Sequence, residues 1–206
     1  MVSDNRSILD AVSSGKERKH LTIKRSAFFG MFAVLFFSTC WILGIIIDGD
    51  WVWNEDVICR LGISDVPFVA NMYLVSCVTT GTCLAICGYG FMRDSPRMLE
   101  KFAFFACIIF GLSMIGLGLI DMNDKEHHRI FSTAIMLFGI VTILSDSIED
   151  FIFKRLYIAI PTLIFGISVV IILFVDSDAV QTFSVAGMLI WLFARCALKV
   201  WVDERI

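Results

Sequence analysis

The sequence predicts an all-α integral membrane protein, a bundle of six transmembrane helices with both termini in the cytoplasm. Hydrophobic residues make up 58% of the 206 positions, and only 18% of the positions are charged. A typical soluble domain has about 25% charged residues, so the composition already excludes that class. Six long apolar runs indicate six helices. An uneven distribution of Lys and Arg indicates their orientation in the membrane.

Six runs are long and apolar enough to cross about 30 Å of hydrocarbon as helices, which takes about 20 residues each. Each run ends where charge or turn residues begin, such as DGDW after the first run and DMNDKEHHR after the third. A membrane β-barrel would need alternation with a period of two, which runs such as FGISVVIILFV lack. The predicted spans lie near 27–47, 68–92, 102–120, 130–146, 157–175 and 182–200.

The spans are predicted to form one domain. The bundle covers 27–200, between a basic N-terminal segment at 1–26 and a short tail at 201–206. The first run is interpreted as an anchored helix and not as a cleaved signal peptide. It is about 20 residues long instead of 7 to 15, and no small-x-small cleavage pattern precedes DGDWVW.

Positive charge sets the predicted orientation. Fourteen of the 17 Lys and Arg residues fall on the side of the termini, and three (Arg60, Lys125 and Arg129) fall on the other side. The positive-inside rule therefore puts both termini in the cytoplasm, with the plasma membrane as the expected location. The basic segment KERKHLTIKR is predicted to contact anionic lipid headgroups.

Polar residues collect at the predicted outer ends of three spans. Asp65 and Asn71 bracket the start of the second span, Asp121 closes the third, and His128 opens the fourth. All four are predicted at about the same depth, where an unpaired carboxylate or amide would cost a few kcal/mol. The sequence therefore predicts that these four side chains form one hydrogen-bonded cluster, the polar outer rim.

A metal site is the alternative interpretation of this rim. Asp65, Asp121 and His128 would then be the ligands of an ion that activates water. Against this, His127 and His128 are adjacent, so on a helix their side chains diverge by about 100° and do not easily bind one ion together. A hydrogen-bonded, pH-responsive turn is preferred, and no metal or other cofactor is predicted.

Other classes of membrane protein lack the residues they need. A haem carrier requires axial histidines inside the bilayer, but His20, His127 and His128 all lie at or beyond predicted helix ends. A transporter typically has ionisable residues at mid-membrane or helices broken by Gly and Pro. Pro161 is predicted in the first turn of the fifth span, and Arg195 is placed close enough to the cytoplasmic end to snorkel. Small-solute transport is therefore a less favoured hypothesis.

Cysteines and glycines are interpreted as packing residues. Six of the seven cysteines lie in predicted spans and Cys59 alone lies in an outer loop, so no disulfide framework is indicated. Glycines such as Gly111, Gly116 and Gly118 are the small residues that allow two helices to approach closely in lipid.

Two segments carry a family resemblance. LGISDVPFVANMYLVSC at 61–77, followed by Gly-x-Gly at 88–90, resembles the start of the membrane family known as domain of unknown function 998. GLSMIGLGLIDMNDKEHHRIFSTAIMLFG at 111–139 is similar to that family's Gly-rich helix, acidic turn and helix-opening His. The outline is also similar to the DRAM/Sfk-type six-helix proteins. The resemblance implies a six-helix bundle, and it implies no activity because none is established for the family. The positions that match the family's polar pattern are Asp65, Asn71, Asp121 and His128.

Two function hypotheses from different classes follow. The preferred one is a non-enzymatic membrane bundle whose polar outer rim is structural or binds a lipid headgroup, an ion or a partner. The alternative is a metal-dependent lipid hydrolase at the outer face. Membrane lipids are the expected partners and nucleic acid is not, while the ligand and the oligomeric state are left open by the sequence.

Overall fold

The computed structural model describes residues 2–52, 55–120, 123–172 and 178–203. The structure is 88% helical, and none of the described residues lies in a β-strand. A short 3₁₀ helix, Ile58–Ile63, lies in the connection between the first two long helices. The long helices are α1 Val2–Asp48, α2 Pro67–Asp94, α3 Met98–Leu119, α4 Lys125–Ile152, α5 Leu156–Ile172 and α6 Asp178–Asp203.

Five segments of the described residues are long and apolar enough to cross a membrane. They are Leu21–Asp48, Pro67–Asp94, Met98–Leu119, Lys125–Ile152 and Thr182–Val200. Helix α5 is strongly apolar but is described over only 17 residues. The last residues of the predicted span 157–175 lie outside the described part of the chain.

Helices α2 and α3 pack closely because glycines line their contact. A Cβ added at Gly111 would lie 2.6 Å from the carbonyl oxygen of Gly81 and 2.9 Å from the backbone nitrogen of Ala85. A Cβ added at Gly118 would lie 2.6 Å from the Cβ of Cys77, and Gly116 faces the Phe131 ring of α4. These three glycines therefore have the close-packing role that the sequence predicts.

Contacts between distant residues define the two ends of the bundle. Arg93 at the end of α2 donates to Thr22 of α1 over 3.4 Å, and Lys199 of α6 bonds Glu100 at the start of α3. The part of α1 around Thr22 and the late part of α6 therefore lie at the same end of the bundle, here named the ionic end. The 3₁₀ helix and the start of α4 lie at the opposite end, named the rim end.

Two helices have bounds that differ from those of the predicted spans. Helix α4 continues to Ile152, six residues beyond the predicted end at 146, because Glu149 and Asp150 are buried inside the protein instead of marking a loop. Pro161 is the sixth residue of α5 and lies in its second turn, because α5 already begins at Leu156.

Candidate functional site

The acidic turn before α4 is held by its own side chains. Asp124 is the N-cap of α4, and its carboxylate accepts a hydrogen bond from the backbone N–H of His127. The other carboxylate oxygen lies 2.8 Å from Nδ1 of the same histidine. The hydrogen bond from the His127 side chain lowers the pKa of Asp124. This solvent-exposed pair explains the turn locally, because a capping aspartate satisfies a free N–H group at the start of a helix.

His128 points the other way, as the predicted divergence of the two rings requires. Its Nδ1 atom is buried and has no hydrogen-bond partner among the described residues. It lines a pocket of about 230 Å³ at the rim end together with Asn71. This rim pocket is lined by Cys59, Gly62, Ala70, Asn71, Tyr73, Leu74, Leu117, Gly118, Leu119, Ile120 and His128.

The rim pocket contains two of the four residues predicted to cluster. Asn71 and His128 both line it, whereas Asp65 is exposed and is not among its lining residues. Asp121 lies outside the described residues. Within the described part of the chain, no three His, Cys, Asp or Glu residues are grouped as metal ligands. The amide side chain of Asn71 and the imidazole of His128 are therefore the two predicted groups that line the rim pocket.

An apolar cavity of about 50 Å³ lies below the rim pocket, between the helices. Its walls come from α1, α2, α3, α4, α6 and the 3₁₀ helix. We name it the central cavity, and it shares Cys59, Tyr73 and Leu117 with the rim pocket. Its other lining residues are Phe37, Ile58, Phe110, Met114, Ser132, Ile135, Met136, Val185, Met188, Leu189 and Leu192. The two spaces therefore adjoin, one partly polar and one almost wholly apolar.

The 3₁₀ helix closes one side of both spaces. Cys59 is only 8% exposed, and this burial raises the pKa of its thiol. The preceding loop is fixed by Asp56, which accepts from the backbone N–H of Val52 over 2.7 Å and forms an ion pair with Arg60. The hydrogen bond from Arg60 lowers the pKa of Asp56. Cys59 is therefore a wall residue of low reactivity, although it lies in a loop between spans.

Ion pairs buried inside the bundle occupy the ionic end, which the sequence analysis did not anticipate. Asp146 and Asp150 are one helical turn apart on α4, share a face, and are each 1% exposed. Arg195 of α6 donates to Asp146 over 2.8 Å and to Asp150 over 2.6 Å. Its Nε atom also lies 2.5 Å from the second carboxylate oxygen of Asp146. One guanidinium thus holds two carboxylates.

Further pairs extend these contacts to α3 and to the adjoining turns. Glu100 bonds Lys199 and accepts from Ser95 over 2.5 Å. Around them, Arg97 pairs with Glu149 over 3.1 Å and Arg155 pairs with Asp150 over 3.4 Å. We name the charged set the ionic network: Arg97, Glu100, Asp146, Glu149, Asp150, Arg155, Arg195 and Lys199. Its four carboxylates face four cations, so the network is balanced without an added ion.

The prediction that Arg195 snorkels to the cytoplasmic surface is wrong. Arg195 is 4% exposed, because α4 extends far enough to place two carboxylates opposite it. A sequence signal for this network does exist. Asp146 and Asp150 are spaced i, i+4 near the end of one span, and Arg195 and Lys199 have the same spacing and opposite charge near the end of another.

The fold and the apolar spans define the chain as a polytopic α-helical membrane protein. Residues 31–200 match the family described as protein of unknown function (DUF998), so the chain belongs to that family. The resemblance carried by 61–77 and 111–139 is thereby confirmed. The chain has no significant match to a curated protein or a solved structure. The family description names no activity, so the interpretation of function rests on the geometry of this chain.

Proposed function

We propose that this protein is a non-enzymatic, six-span bundle of the plasma membrane whose rim pocket binds the headgroup of a membrane lipid. The observation that carries the proposal is the buried Nδ1 atom of His128, which is unpartnered among the described residues and lies in a pocket beside Asn71. A buried imidazole nitrogen without a partner costs free energy that a bound polar group would recover. The apolar space directly below the pocket favours a lipid over a free ion.

The chemistry of the rim pocket suits hydrogen bonding more than metal binding. Among the described residues, its lining includes one amide, Asn71, one imidazole, His128, and no carboxylate. The amide both donates and accepts, and the imidazole can do either according to its tautomer. Such a pair fits the phosphate or hydroxyl oxygens of a headgroup, whereas a divalent ion would normally require more ligands.

The contacts at the ionic end support six crossings with both termini on one side. Thr22 and Lys199 lie at the same end of the bundle, so the chain between them crosses an even number of times. That count includes α5, whose apolar residues match a crossing in composition. The excess of Lys and Arg supports a cytoplasmic location for this end.

The headgroup site predicts that His128→Ala and Asn71→Ala each lower lipid retention about fivefold, the effect of losing one hydrogen bond of about 1 kcal/mol. The measurement is native mass spectrometry of protein reconstituted with phosphatidylethanolamine and phosphatidylglycerol and then released into detergent. His127→Ala is the matched control, because His127 is exposed and bonds Asp124 outside the pocket. Equal retention by all three variants and the unaltered protein would refute the headgroup site.

The orientation predicts opposite labelling of two introduced cysteines in intact cells. Glu126→Cys, at an exposed position of the rim end, is expected to react with a membrane-impermeant maleimide. Ser13→Cys is expected to react only after the membrane is permeabilised. The unaltered protein is the control for background, since Cys59 is buried. Labelling of Ser13→Cys before permeabilisation would show that the N-terminus is outside.

A further inference from the structure

We propose that the rim pocket and the central cavity hold one molecule, a single-chain amphiphile whose polar head lies at Asn71 and His128 and whose chain enters the bundle. This inference rests on the proposed headgroup site and adds the class of ligand. It predicts that a lipid with one chain binds better than one with two chains and the same headgroup.

The route of the chain follows from the residues that the two spaces share. Cys59, Tyr73 and Leu117 line both the rim pocket and the central cavity. A molecule with its head beside His128 would therefore pass its chain between these three side chains. Beyond them the walls are apolar, and Met114, Ile135 and Leu189 are buried within the bundle. The cavity thus lies among the helices.

The size of the central cavity limits the occupant to one chain. Its volume is about 50 Å³, much smaller than the 230 Å³ of the rim pocket, so a chain would enter only with adjustment of flexible side chains such as Met114 and Met136. Two chains side by side have no space there. A diacyl lipid would have to leave both of its chains outside, or bring only one of them in.

The depth of the route limits the length of the chain. A third cavity of only about 10 Å³ shares Phe110, Met188 and Leu192 with the central cavity and extends to Cys107 and Thr142. A chain would reach this depth only if the lining side chains moved aside. From Leu117 to Cys107, the rise along α3 is about 15 Å, the length of about twelve methylenes. Asp146 lies one turn beyond Thr142 on α4 and is held by Arg195, so the ionic network closes the route at this end. The proposed site would therefore be closed at the ionic end and would not form a pathway through the bundle.

The test is a titration of the purified protein with lysophosphatidylglycerols of increasing chain length, followed by native mass spectrometry. Affinity is expected to rise about fourfold for each added methylene, until the chain reaches about twelve carbons, and then to level off. Phosphatidylglycerol with two chains of the same length is expected to bind more weakly. An affinity independent of chain length, or equal binding of the two-chain lipid, would overturn the single-chain inference.

A pair of variants on α4 tests the position of the chain. Ile135→Phe fills the central cavity and is expected to weaken binding of the long-chain lipid more than that of the shortest one. Leu137→Phe adds the same ring on an exposed face of the same helix and is expected to change neither. If Ile135→Phe does not fold, the chain-length series of the unaltered protein decides.

The His128→Ala variant separates the two proposals. If chain length has no effect but His128→Ala still lowers binding, the headgroup site stands and the single-chain inference falls. If lysophosphatidylglycerol does not bind at any chain length and His128→Ala does not change lipid retention, the headgroup site and the single-chain inference are both refuted. If affinity depends steeply on chain length and His128→Ala also lowers binding, both proposals are supported.

Discussion

Arg195→Ala is expected to destabilise the protein by about 3–5 kcal/mol, the usual cost of removing one partner from a buried ion pair. The variant leaves Asp146 and Asp150 buried at 1% exposure, and Asp146 loses the only ion-pair partner that the described residues provide. The measurement is thermal unfolding in detergent, with Arg129→Ala on the exposed surface of α4 as the control. Equal melting temperatures for the two variants would contradict the buried network.

A compensated variant separates the cost of unpaired charge from the loss of a specific chemical role. Replacing Arg195 by Met together with Asp146→Leu and Asp150→Leu removes the charges from both sides. Apolar replacement of a buried ion triad is often neutral or stabilising, and the partly exposed Arg155 is the one cation of the network that loses its partner. The triple variant is therefore expected to regain most of the stability lost in Arg195→Ala. If it also retains lipid, the ionic network is structural and does not contribute to binding at the rim pocket.

Gly111→Leu is expected to show the other large loss of stability. The first atom of the new side chain would meet the carbonyl oxygen of Gly81 and the backbone nitrogen of Ala85, which cannot move aside without separating α2 from α3. Overpacking typically costs 1–3 kcal/mol, and we expect the upper part of that range because the opposing atoms are backbone.

The same substitution at Gly139 is the control for Gly111→Leu. A Cβ at Gly139 would lie 2.9 Å from the Sδ atom of Met188, a flexible side chain that can adopt another rotamer. A smaller decrease in melting temperature is therefore expected for Gly139→Leu. If Gly111→Leu unfolds at the temperature of the unaltered protein, α2 and α3 do not pack through these glycines.

The helical architecture was predictable because lipid imposes it on any long apolar run. The position at which α4 ends was not predictable from the sequence. EDFIFKR contains the charges of a typical loop, and only the register between α4 and α6 reveals that Asp150 faces Arg195. That register depends on side-chain packing across two helices distant in sequence, about which a hydropathy pattern contains no information. The same limitation explains why Arg195 was assigned to the membrane surface.

The level of the candidate site along the bundle axis was predictable from the sequence, but the set of side chains that line it was not. Asn71 and His128 were expected at one level of the bundle, and they line the same pocket. Asp65 was expected beside them, but it precedes α2 in an exposed turn, where the direction of the backbone and not the depth decides where a side chain points. The central cavity gives no sequence signal, because its shape arises from the packing of five helices and a 3₁₀ helix.

Photocrosslinking would locate the lipid that we propose extends from the rim pocket into the bundle. The probe is a lysophosphatidylglycerol with a diazirine on its chain, and the crosslinked residues are located by tandem mass spectrometry. Crosslinks are expected to the cavity residues Met114, Ile135 and Leu189, and they are expected to disappear when unlabelled lysophosphatidylglycerol competes. Crosslinks confined to the neighbours Leu112, Leu137 and Ile190 would contradict the proposal, since these side chains are exposed on the outside of the bundle.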